Sequence, residues 1–284
     1  MKSIVITGVS TGIGWGATKV LAGKGFHVFG SVRKEADAER LKKEFGANFT
    51  PLFFDVTDAP AIRRAADQVR EALKGEKLFG LVNNAGIAVS GPLIEIDPDE
   101  FRKQMDVNVM GPLLVTQAFA PLLGADRSLK GPPGRIVNIS SVGGKMAAPF
   151  IGPYAASKFA IEGFSESLRR ELLLFGIDVI IIGPGAVKTA IWGKAEEVDI
   201  TPYGNSPYLP SLTKFRDYFL ESGKQGLPPE KLGRLIMKVL TTPRPRTRYT
   251  ILSGRLMNWT IPRLLPKRMV DRTIAKALGL LPPS

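Results

Sequence analysis

Short runs of Ile, Val, Leu and Phe recur along the first two thirds of the chain, and helix-length segments separate them. Most runs show little alternation between apolar and polar residues, which is typical of strands covered on both faces. The pattern predicts strands at Ser3–Thr7, Val28–Val32, Leu52–Phe54, Leu78–Asn83, Arg135–Ser140 and Asp178–Ile182. It predicts helices at Ala17–Lys24, Ala36–Phe45, Ala59–Leu73, Glu100–Leu123 and Tyr154–Phe175. Repeated βαβ units imply right-handed crossovers and therefore an α/β fold with an open, doubly wound parallel sheet.

No linker divides the 284 residues, so we expect a single domain over residues 1–284. The strand and helix pattern breaks between residues 189 and 229, which are rich in Pro, Gly, Tyr and Ser. In doubly wound folds an insertion after a late strand lies near the carboxyl ends of the strands, where ligands bind. We interpret residues 189–229 as a substrate lid, with a variable surface loop as the alternative, and residues 230–284 as a C-terminal extension.

The composition excludes several classes of chemistry. The sequence has no cysteine and one histidine, His27. A disulfide framework, a thiolate nucleophile and a multi-His or Cys metal site are therefore excluded, and we predict no metal centre. A single histidine also argues against a Ser-His-Asp hydrolase. The apolar run at the start is too short for a signal peptide, and a cytoplasmic protein is the expectation.

A glycine-rich turn follows the first predicted strand and precedes the first helix. Glycines at positions 8, 12 and 14 allow a tight turn and a close approach of backbone N–H groups to a pyrophosphate. The positive end of the following helix dipole favours the same anion. The predicted cofactor-binding loop contains Gly8, Ser10, Thr11, Gly12, Ile13 and Gly14.

A tyrosine and a lysine four residues apart provide a candidate acid/base pair. Tyr154 and Lys158 lie on one face of a predicted helix, because residues at this spacing are neighbours on a helix surface. A free phenol titrates near ~10, and a neighbouring ammonium favours its ionised form. We therefore predict that Lys158 lowers the pKa of Tyr154 and makes it a useful general acid/base.

These motifs together resemble the short-chain dehydrogenases/reductases, in their short single-domain branch. The resemblance is carried by Gly-x3-Gly-x-Gly at residues 8–14, by Asn83-Asn84-Ala85-Gly86, and by Tyr154-x3-Lys158 with Ser141 thirteen residues earlier. It covers roughly residues 1–190 and implies a Rossmann fold. It also implies an oxidoreductase that moves a hydride between a nicotinamide and an alcohol or carbonyl group.

The resemblance assigns roles to four catalytic residues. Ser141 is expected to orient and polarise the substrate oxygen, and Tyr154 to exchange a proton with it. Lys158 is expected to tune Tyr154 and to bind the ribose. Asn108 matches the family asparagine that kinks its helix and holds a water for proton relay.

Further cofactor contacts are implied by the same resemblance. Three turns at strand ends carry them: one beside the adenine ribose, one at the adenine edge and one at the nicotinamide carboxamide. Their residues are Asn84, Ala85 and Gly86, then Asp55 and Val56, then Pro184, Gly185, Val187 and Thr189.

The end of the second strand predicts the preferred dinucleotide. Enzymes that use NAD generally place an acid there to bind the ribose 2′-hydroxyl. In this chain that position is Val32, and Arg33 follows. A missing carboxylate and an arginine suit a 2′-phosphate, so NADP(H) is predicted over NAD(H). Thr11 is a departure, since many NADP-dependent relatives have a basic residue at its place.

Two other functions remain open beside the oxidoreductase. One is a catalytically inactive dinucleotide sensor or scaffold, and the other is a dehydratase or epimerase on the same fold. The long insertion resembles hydroxysteroid and retinol dehydrogenase relatives, which implies an apolar alcohol or ketone substrate. Its aromatic residues fit lid packing equally well. The resemblance also implies a homodimer or homotetramer through helices 100–123 and 154–175.

The positive charge is concentrated at the C-terminus. The chain has a net charge of +13, and residues 230–284 hold twelve Lys and Arg but two Asp and Glu, a net charge of +10. We find no basic nucleic-acid-binding module and predict no nucleic-acid partner. The mixture of basic and apolar residues is compatible with peripheral contact to an anionic membrane. Packing on the body or on a partner subunit is the alternative, and Pro262 and Pro266 exclude one long helix.

Overall fold

The protein is described by a computed structural model that covers residues 2–188, 201–254 and 259–282. Its described strands form a seven-stranded parallel sheet with the order β3-β2-β1-β4-β5-β6-β7. The chain passes outward from β1 to one edge and then from β4 to the other, which confirms the predicted doubly wound fold. The strands are β1 Ser3–Ile6, β2 His27–Val32, β3 Phe49–Phe53, β4 Gly80–Asn83, β5 Arg135–Ile139, β6 Asp178–Pro184 and β7 Arg248–Ile251.

Helices cover both faces of this sheet. One face packs against α1, α2 and α8, and the other against α3, α5 and α6. The central strand residues Ile4, Val5 and Ile6 are fully buried, as the near-continuous apolar runs predict. The described helices are α1 Gly12–Ala22, α2 Glu35–Phe45, α3 Ala59–Leu73, α4 Pro98–Met105, α5 Gly111–Ala120, α6 Gly152–Glu171, α7 Leu209–Lys224, α8 Pro229–Thr241, α9 Ile261–Leu264 and α10 Lys267–Leu278.

The first part of the predicted C-terminal extension belongs to the body. Helix α8 buries Leu232, Ile236 and Val239 in the core, and β7 pairs with β6 as the outer strand of the sheet. The peripheral segment therefore begins after β7 and not at residue 230. The apolar residues of α8 recur at helical spacing, but the net positive charge of the region led to its interpretation as an extension.

Part of the predicted lid also packs on the body. In α7, Leu212 and Phe215 are buried against Phe150, and Tyr208 and Phe219 join this aromatic cluster. The packing alternative therefore holds for these side chains. Residues 189–200 of the predicted lid lie outside the described residues, and its covering function stays a prediction.

Within the described part of the chain, one helical segment has the length and apolar composition of a membrane span, Pro98–Ala125. It consists of α4, α5 and two π-helical turns, Asp106–Met110 and Pro121–Ala125. Half of its most apolar stretch is buried, and Val115 and Phe119 pack fully buried against the sheet. A helix that packs in the core of a protein can have the same length and apolar composition as a membrane span.

Helices α1 and α8 cross at two glycines. A Cβ atom on Gly16 would lie 2.5 Å from the carbonyl carbon of Pro229, and one on Gly233 would lie 2.4 Å from the oxygen of Gly16. Backbone atoms cannot move aside as a flexible side chain can. The absence of side chains at both positions therefore sets how closely α8 approaches α1, and with it the position of the glycine-rich turn that begins α1.

This crossing makes a stability prediction. Replacing Gly233→Ala should lower the free energy of unfolding by about 1–3 kcal/mol, because the methyl group meets main chain. The control is Gly163→Ala in α6, where a Cβ atom meets nothing within 4 Å. That change should raise stability by about 0.5–1 kcal/mol through helix propensity. Equal effects of the two changes in urea unfolding would contradict the crossing argument.

Candidate active site

The glycine-rich turn joins β1 to α1 at the carboxyl edge of the sheet. Gly8 has φ of 70° and Gly12 has φ of 60°, a region that L side chains rarely adopt. A Cβ atom on Gly14 would lie 2.2 Å from the oxygen of Gly8, so this position also requires glycine. The turn thus has the geometry that the Gly-x3-Gly-x-Gly spacing predicts.

The N-terminus of α1 opens into a cleft of about 840 Å³. Thr11 makes no side-chain cap to this helix, whose first-turn N–H groups favour an anion. A bare main-chain surface, a helix N-terminus and nearby cations fit the pyrophosphate of a dinucleotide. The cleft is lined by Ser10, Thr11, Gly12, Trp15, Asp37, Arg40, Lys188, Gly223, Lys224 and Pro229.

Hydrogen bonds between Thr7, which follows β1, and Asn84, which follows the neighbouring strand β4, hold the glycine-rich turn in place. The Thr7 hydroxyl accepts hydrogen bonds from the backbone N–H groups of Asn84 and Ala85, both at 3.0 Å. In return, the Asn84 side chain donates to the carbonyl oxygens of Thr7 at 2.9 Å and Gly8 at 3.1 Å. Asn84 therefore holds the turn in place, and its contact with the adenine ribose stays a prediction.

Ser141, Tyr154 and Lys158 converge at the end of β5 and the start of α6. Ser141 Oγ accepts a hydrogen bond from Gly143 N at 3.0 Å and lies 3.5 Å from the oxygen of Pro184. Lys158 Nζ lies 5.6 Å from the centre of the Tyr154 ring and donates to the oxygen of Ile139 at 2.9 Å. The structure thus brings together the three residues whose spacing predicted a common site.

Burial controls the ionisation of the tyrosine and lysine. It raises the pKa of the Tyr154 phenol, and the hydrogen bond with Ser141 opposes this rise. Burial lowers the pKa of the Lys158 ammonium to about 8, and the negative charge of Glu162 partly opposes this lowering. The predicted lowering of the Tyr154 pKa by Lys158 is therefore wrong for the protein alone. Desolvation outweighs an ammonium that points at Ile139.

Asn108 lies in the π-helical turn Asp106–Met110, between α4 and α5. This turn is the irregularity that the family resemblance implies at this position. The side chain bonds both main-chain groups of Ile87, with Oδ1 2.9 Å from N and Nδ2 3.0 Å from O. Nδ2 also donates to Ser157 Oγ at 3.0 Å on α6. Asn108 therefore connects the β4 loop to the helix of Tyr154, and its part in a proton relay stays a prediction.

Arg33 and Asp55 form an exposed pair at the ends of β2 and β3. Arg33 Nη1 lies 3.1 Å from Asp55 Oδ2. Burial alone would raise the pKa of Asp55, but hydrogen bonds from Thr57 and Arg33 lower it overall. Exposed pairs contribute little to stability, so the Arg33 guanidinium can exchange this carboxylate for another anion. Val56, the neighbour of Asp55, is buried.

The loop after β6 borders the same edge of the sheet. Pro184 ends β6, and Gly185 N donates to the oxygen of Ile251 on β7 at 2.8 Å. Val187 is buried and forms a bridge with Leu227. Thr189, the last predicted contact in this loop, lies outside the described residues.

Three basic residues of the cleft were not found from the sequence. Arg40 of α2 donates to the oxygen of Ser10 at 2.7 Å and pairs with Asp37, so it holds the glycine-rich turn from outside. Lys188 and Lys224 line the cleft near the C-terminus of α7. Helix periodicity could have placed Arg40 on the face of α2 toward the turn, but the two lysines meet through tertiary packing. Among the described residues no cluster of acidic or histidine side chains could hold a metal.

Comparison with known proteins identifies the chain. Residues 2–199 match the family model of the short chain dehydrogenases. The chain belongs to the short chain dehydrogenase family. It is similar to an NADPH-dependent 3-dehydrocapnine reductase of Ornithobacterium rhinotracheale, with 37% identity over 99% of both chains. It is 34% identical to human retinol dehydrogenase 5 over 97% of this chain and 88% of that protein.

The fold of this short-chain dehydrogenase also matches solved structures. A short-chain dehydrogenase from Streptomyces avermitilis superposes with a TM-score of 0.76 and 26% identity, covering 98% of this chain and 97% of the other. Family membership and the convergence of Ser141, Tyr154 and Lys158 together make the protein an oxidoreductase of this family.

The tyrosine provides the direct test of the site. We expect Tyr154→Phe to lower turnover of any substrate by about two to four orders of magnitude, because proton transfer at the substrate oxygen is lost. Binding of the reduced dinucleotide, followed by its fluorescence, should change little. The control is Tyr218→Phe on the exposed surface of α7. Full activity of the Tyr154 variant would contradict the assigned role.

Proposed function

We propose that this short-chain dehydrogenase reduces a ketone on an apolar substrate with NADPH. The observations that carry the proposal are the Ser141–Tyr154–Lys158 cluster and an apolar cleft whose lining includes Phe150, four residues before Tyr154 in the chain. The names of its relatives, an NADPH-dependent 3-dehydrocapnine reductase and a retinol dehydrogenase, support the reaction class. The sensor or scaffold alternative gains no support, since all three catalytic side chains are present. The names of the relatives favour oxidoreduction over a dehydratase or epimerase.

The chain's own residues provide the acid chemistry of this reaction. When bound, the cofactor supplies the hydride to the carbonyl carbon. Ser141 holds the carbonyl oxygen, and Tyr154 gives its phenolic proton to that oxygen, so that an alcohol and a phenolate result. A phenol is protonated at neutral pH, which suits a proton donor. Lys158 then stabilises the phenolate with its positive charge.

Arg33 supports the choice of NADPH. Its side chain is 68% exposed at the end of β2, where Val32 replaces the acid typical of NAD enzymes. Arg33→Ser should raise the Kd for NADPH by about tenfold and leave that for NADH unchanged, since a charge-assisted bond to the 2′-phosphate is lost. Arg102→Ser, at a side chain 71% exposed on α4, is the control. An equal loss of affinity for NADPH and NADH would contradict the predicted preference for NADPH.

The apolar cleft supports the substrate class. It has a volume of about 190 Å³ and opens at the N-terminus of α6, where Phe150 precedes Tyr154 by four residues. Leu93 and Ile94 are largely exposed at its edge. The remaining lining residues are Pro92, Pro149, Phe150, Tyr208 and Leu280. An alkyl or ring substituent of the substrate would cover these side chains.

A series of methyl ketones with lengthening alkyl chains tests this proposal. Each methylene that enters the cleft should lower KM by about two- to fourfold, the transfer free energy of a buried CH₂. Ile94→Asp should cancel this gain, and the control is Leu264→Asp, because both side chains are 80% exposed. A KM that is independent of chain length would refute the apolar substrate and leave the reaction class standing.

The segment after β7 supports peripheral contact with an anionic membrane. Helix α10 has no buried residue, and its Met269 is exposed, as are Leu264 and Leu265 just before it. The exposed cations Arg263, Lys267, Arg268, Arg272 and Lys276 share this segment. We expect the protein to sediment with phosphatidylserine vesicles and added salt to weaken this binding. The Leu264→Asp variant should lose the binding, whereas Ile94→Asp should keep it. Salt-insensitive absence from these vesicles would contradict the contact.

Two helices support a homodimer or homotetramer in the cytoplasm. The family resemblance implies subunit contact through residues 100–123 and 154–175. The first segment exposes Met110, and the second exposes Phe159, Leu173 and Leu174. The absence of cysteine is compatible with a reducing compartment. Light scattering should give twice or four times the chain mass of 30.8 kDa, and a monomer would contradict the proposal.

A further inference from the structure

A buried ion pair lies directly behind the catalytic residues and has no part in the mechanism above. Glu162 is one helical turn after Lys158 on α6 and is 4% exposed. Arg248 of β7 meets it through two nitrogens, with Nε 2.8 Å from Oε2 and Nη2 3.0 Å from Oε1. A two-pronged contact of this kind fixes the orientation as well as the distance of both side chains.

The arginine also reaches the main chain of the catalytic serine. Arg248 Nη2 lies 3.4 Å from the oxygen of Ser141, and Nη1 donates to Thr250 Oγ1 on the same strand. One guanidinium therefore joins β7, α6 and the turn that carries Ser141. On its other side the ring of Trp259 lies 5.3 Å from the guanidinium carbon.

A glycine lies next to each member of the pair. A Cβ atom on Gly183 would lie 2.5 Å from Arg248 Nη2 and 3.2 Å from the oxygen of Ser141, so a side chain here would displace the guanidinium. A Cβ atom on Gly144 would lie 2.6 Å from Ser140 Oγ, 2.9 Å from the oxygen of Lys158 and 3.2 Å from Glu162 Cγ. Gly183 thus leaves the space that the guanidinium occupies, and Gly144 lets its loop approach α6 closely.

The charges around Glu162 come from three elements. Arg248 belongs to β7, Lys145 of the loop after Ser141 places its Nζ 3.4 Å from Oε2, and Lys158 belongs to α6 itself. The negative charge of Glu162 opposes the effect of burial on the Lys158 ammonium. Arg248 offsets much of the cost of keeping this carboxylate ionised in the interior.

We propose that the Arg248–Glu162 pair is a positioning element of the active site. Arg248 fixes the turn that presents Ser141, and Glu162 holds Lys158 in its charged form one helical turn away. Through Trp259 the same contact ties the C-terminal segment to the catalytic residues. The inference rests on the catalytic roles proposed above, because the pair acts through Ser141 and Lys158 and touches no substrate.

The test compares Glu162→Gln with Glu166→Gln, the same change one turn later at an exposed side chain of α6. In Glu162→Gln we expect kcat to fall by about tenfold to a hundredfold with a small change in KM, since the reacting groups are displaced and not removed. The Lys158 titration, followed by NMR of the isotope-labelled side chain, should move to lower pH. Glu166→Gln should change neither quantity.

Two further variants separate positioning from stability. Arg248→Lys keeps the charge but cannot reach both carboxylate oxygens and Ser141, so kcat should fall although the fold is retained. If Glu162→Gln does not fold, the double replacement Arg248→Met/Glu162→Met removes both partners together, so that Arg248 is not left without its carboxylate. This folded double variant should bind NADPH normally and turn over slowly.

Full kcat in the folded double variant, or an unchanged Lys158 titration in Glu162→Gln, would overturn the proposal and leave a purely structural ion pair. If the wild-type protein reduces no ketone with either dinucleotide, the proposed function fails. The Lys158 titration still tests the pair in that case, because it needs neither cofactor nor turnover.

Discussion

Holding a cation in the protein interior is the constraint around which the active site is organised. Lys158 is buried, and an ammonium in such a place needs oxygen partners. The carbonyl oxygen of Ile139 at the end of β5 supplies one, and Glu162 supplies a compensating charge. Glu162 requires Arg248 in turn. The polar groups that compensate this one buried cation therefore link β5, α6 and β7.

Glycine determines where these polar groups fit. The turn around Gly8 and Gly14 brings main chain to a surface that a Cβ atom would cover, and Gly183 leaves the space that Arg248 fills. The first case exposes peptide N–H groups to an anion, whereas the second admits a charged side chain into the sheet layer. Both arrangements depend on the absence of a Cβ atom, so the positions of these glycines determine much of the geometry of the site.

Sequence reasoning predicted the parts of the site that are local. The glycine-rich turn and the Tyr154–Lys158 pair each span only a few consecutive residues, so the sequence alone shows their pattern. Strand β7 and helix α8 were missed because the net positive charge of their region led to its interpretation as a peripheral extension, although α8 has apolar residues at helical spacing. Glu162 and Arg248 are 86 residues apart, and neither has a signal of its own until the fold pairs them. The raised pKa of Tyr154 was missed for the same reason, since desolvation is a tertiary property.

The basic C-terminal region shows why net charge alone says little about function. Arg248 contributes to the count, but its charge is balanced by Glu162 in the interior and adds little to the field outside. The cations on α10 face solvent and make up the external field. The ring of Trp259 contacts two arginines, with the guanidinium carbon of Arg248 at 5.3 Å and that of Arg263 in α9 at 4.7 Å. The same stretch of chain therefore holds basic residues of two kinds, one paired in the interior behind the catalytic serine and the others exposed at the surface, which a net charge cannot tell apart.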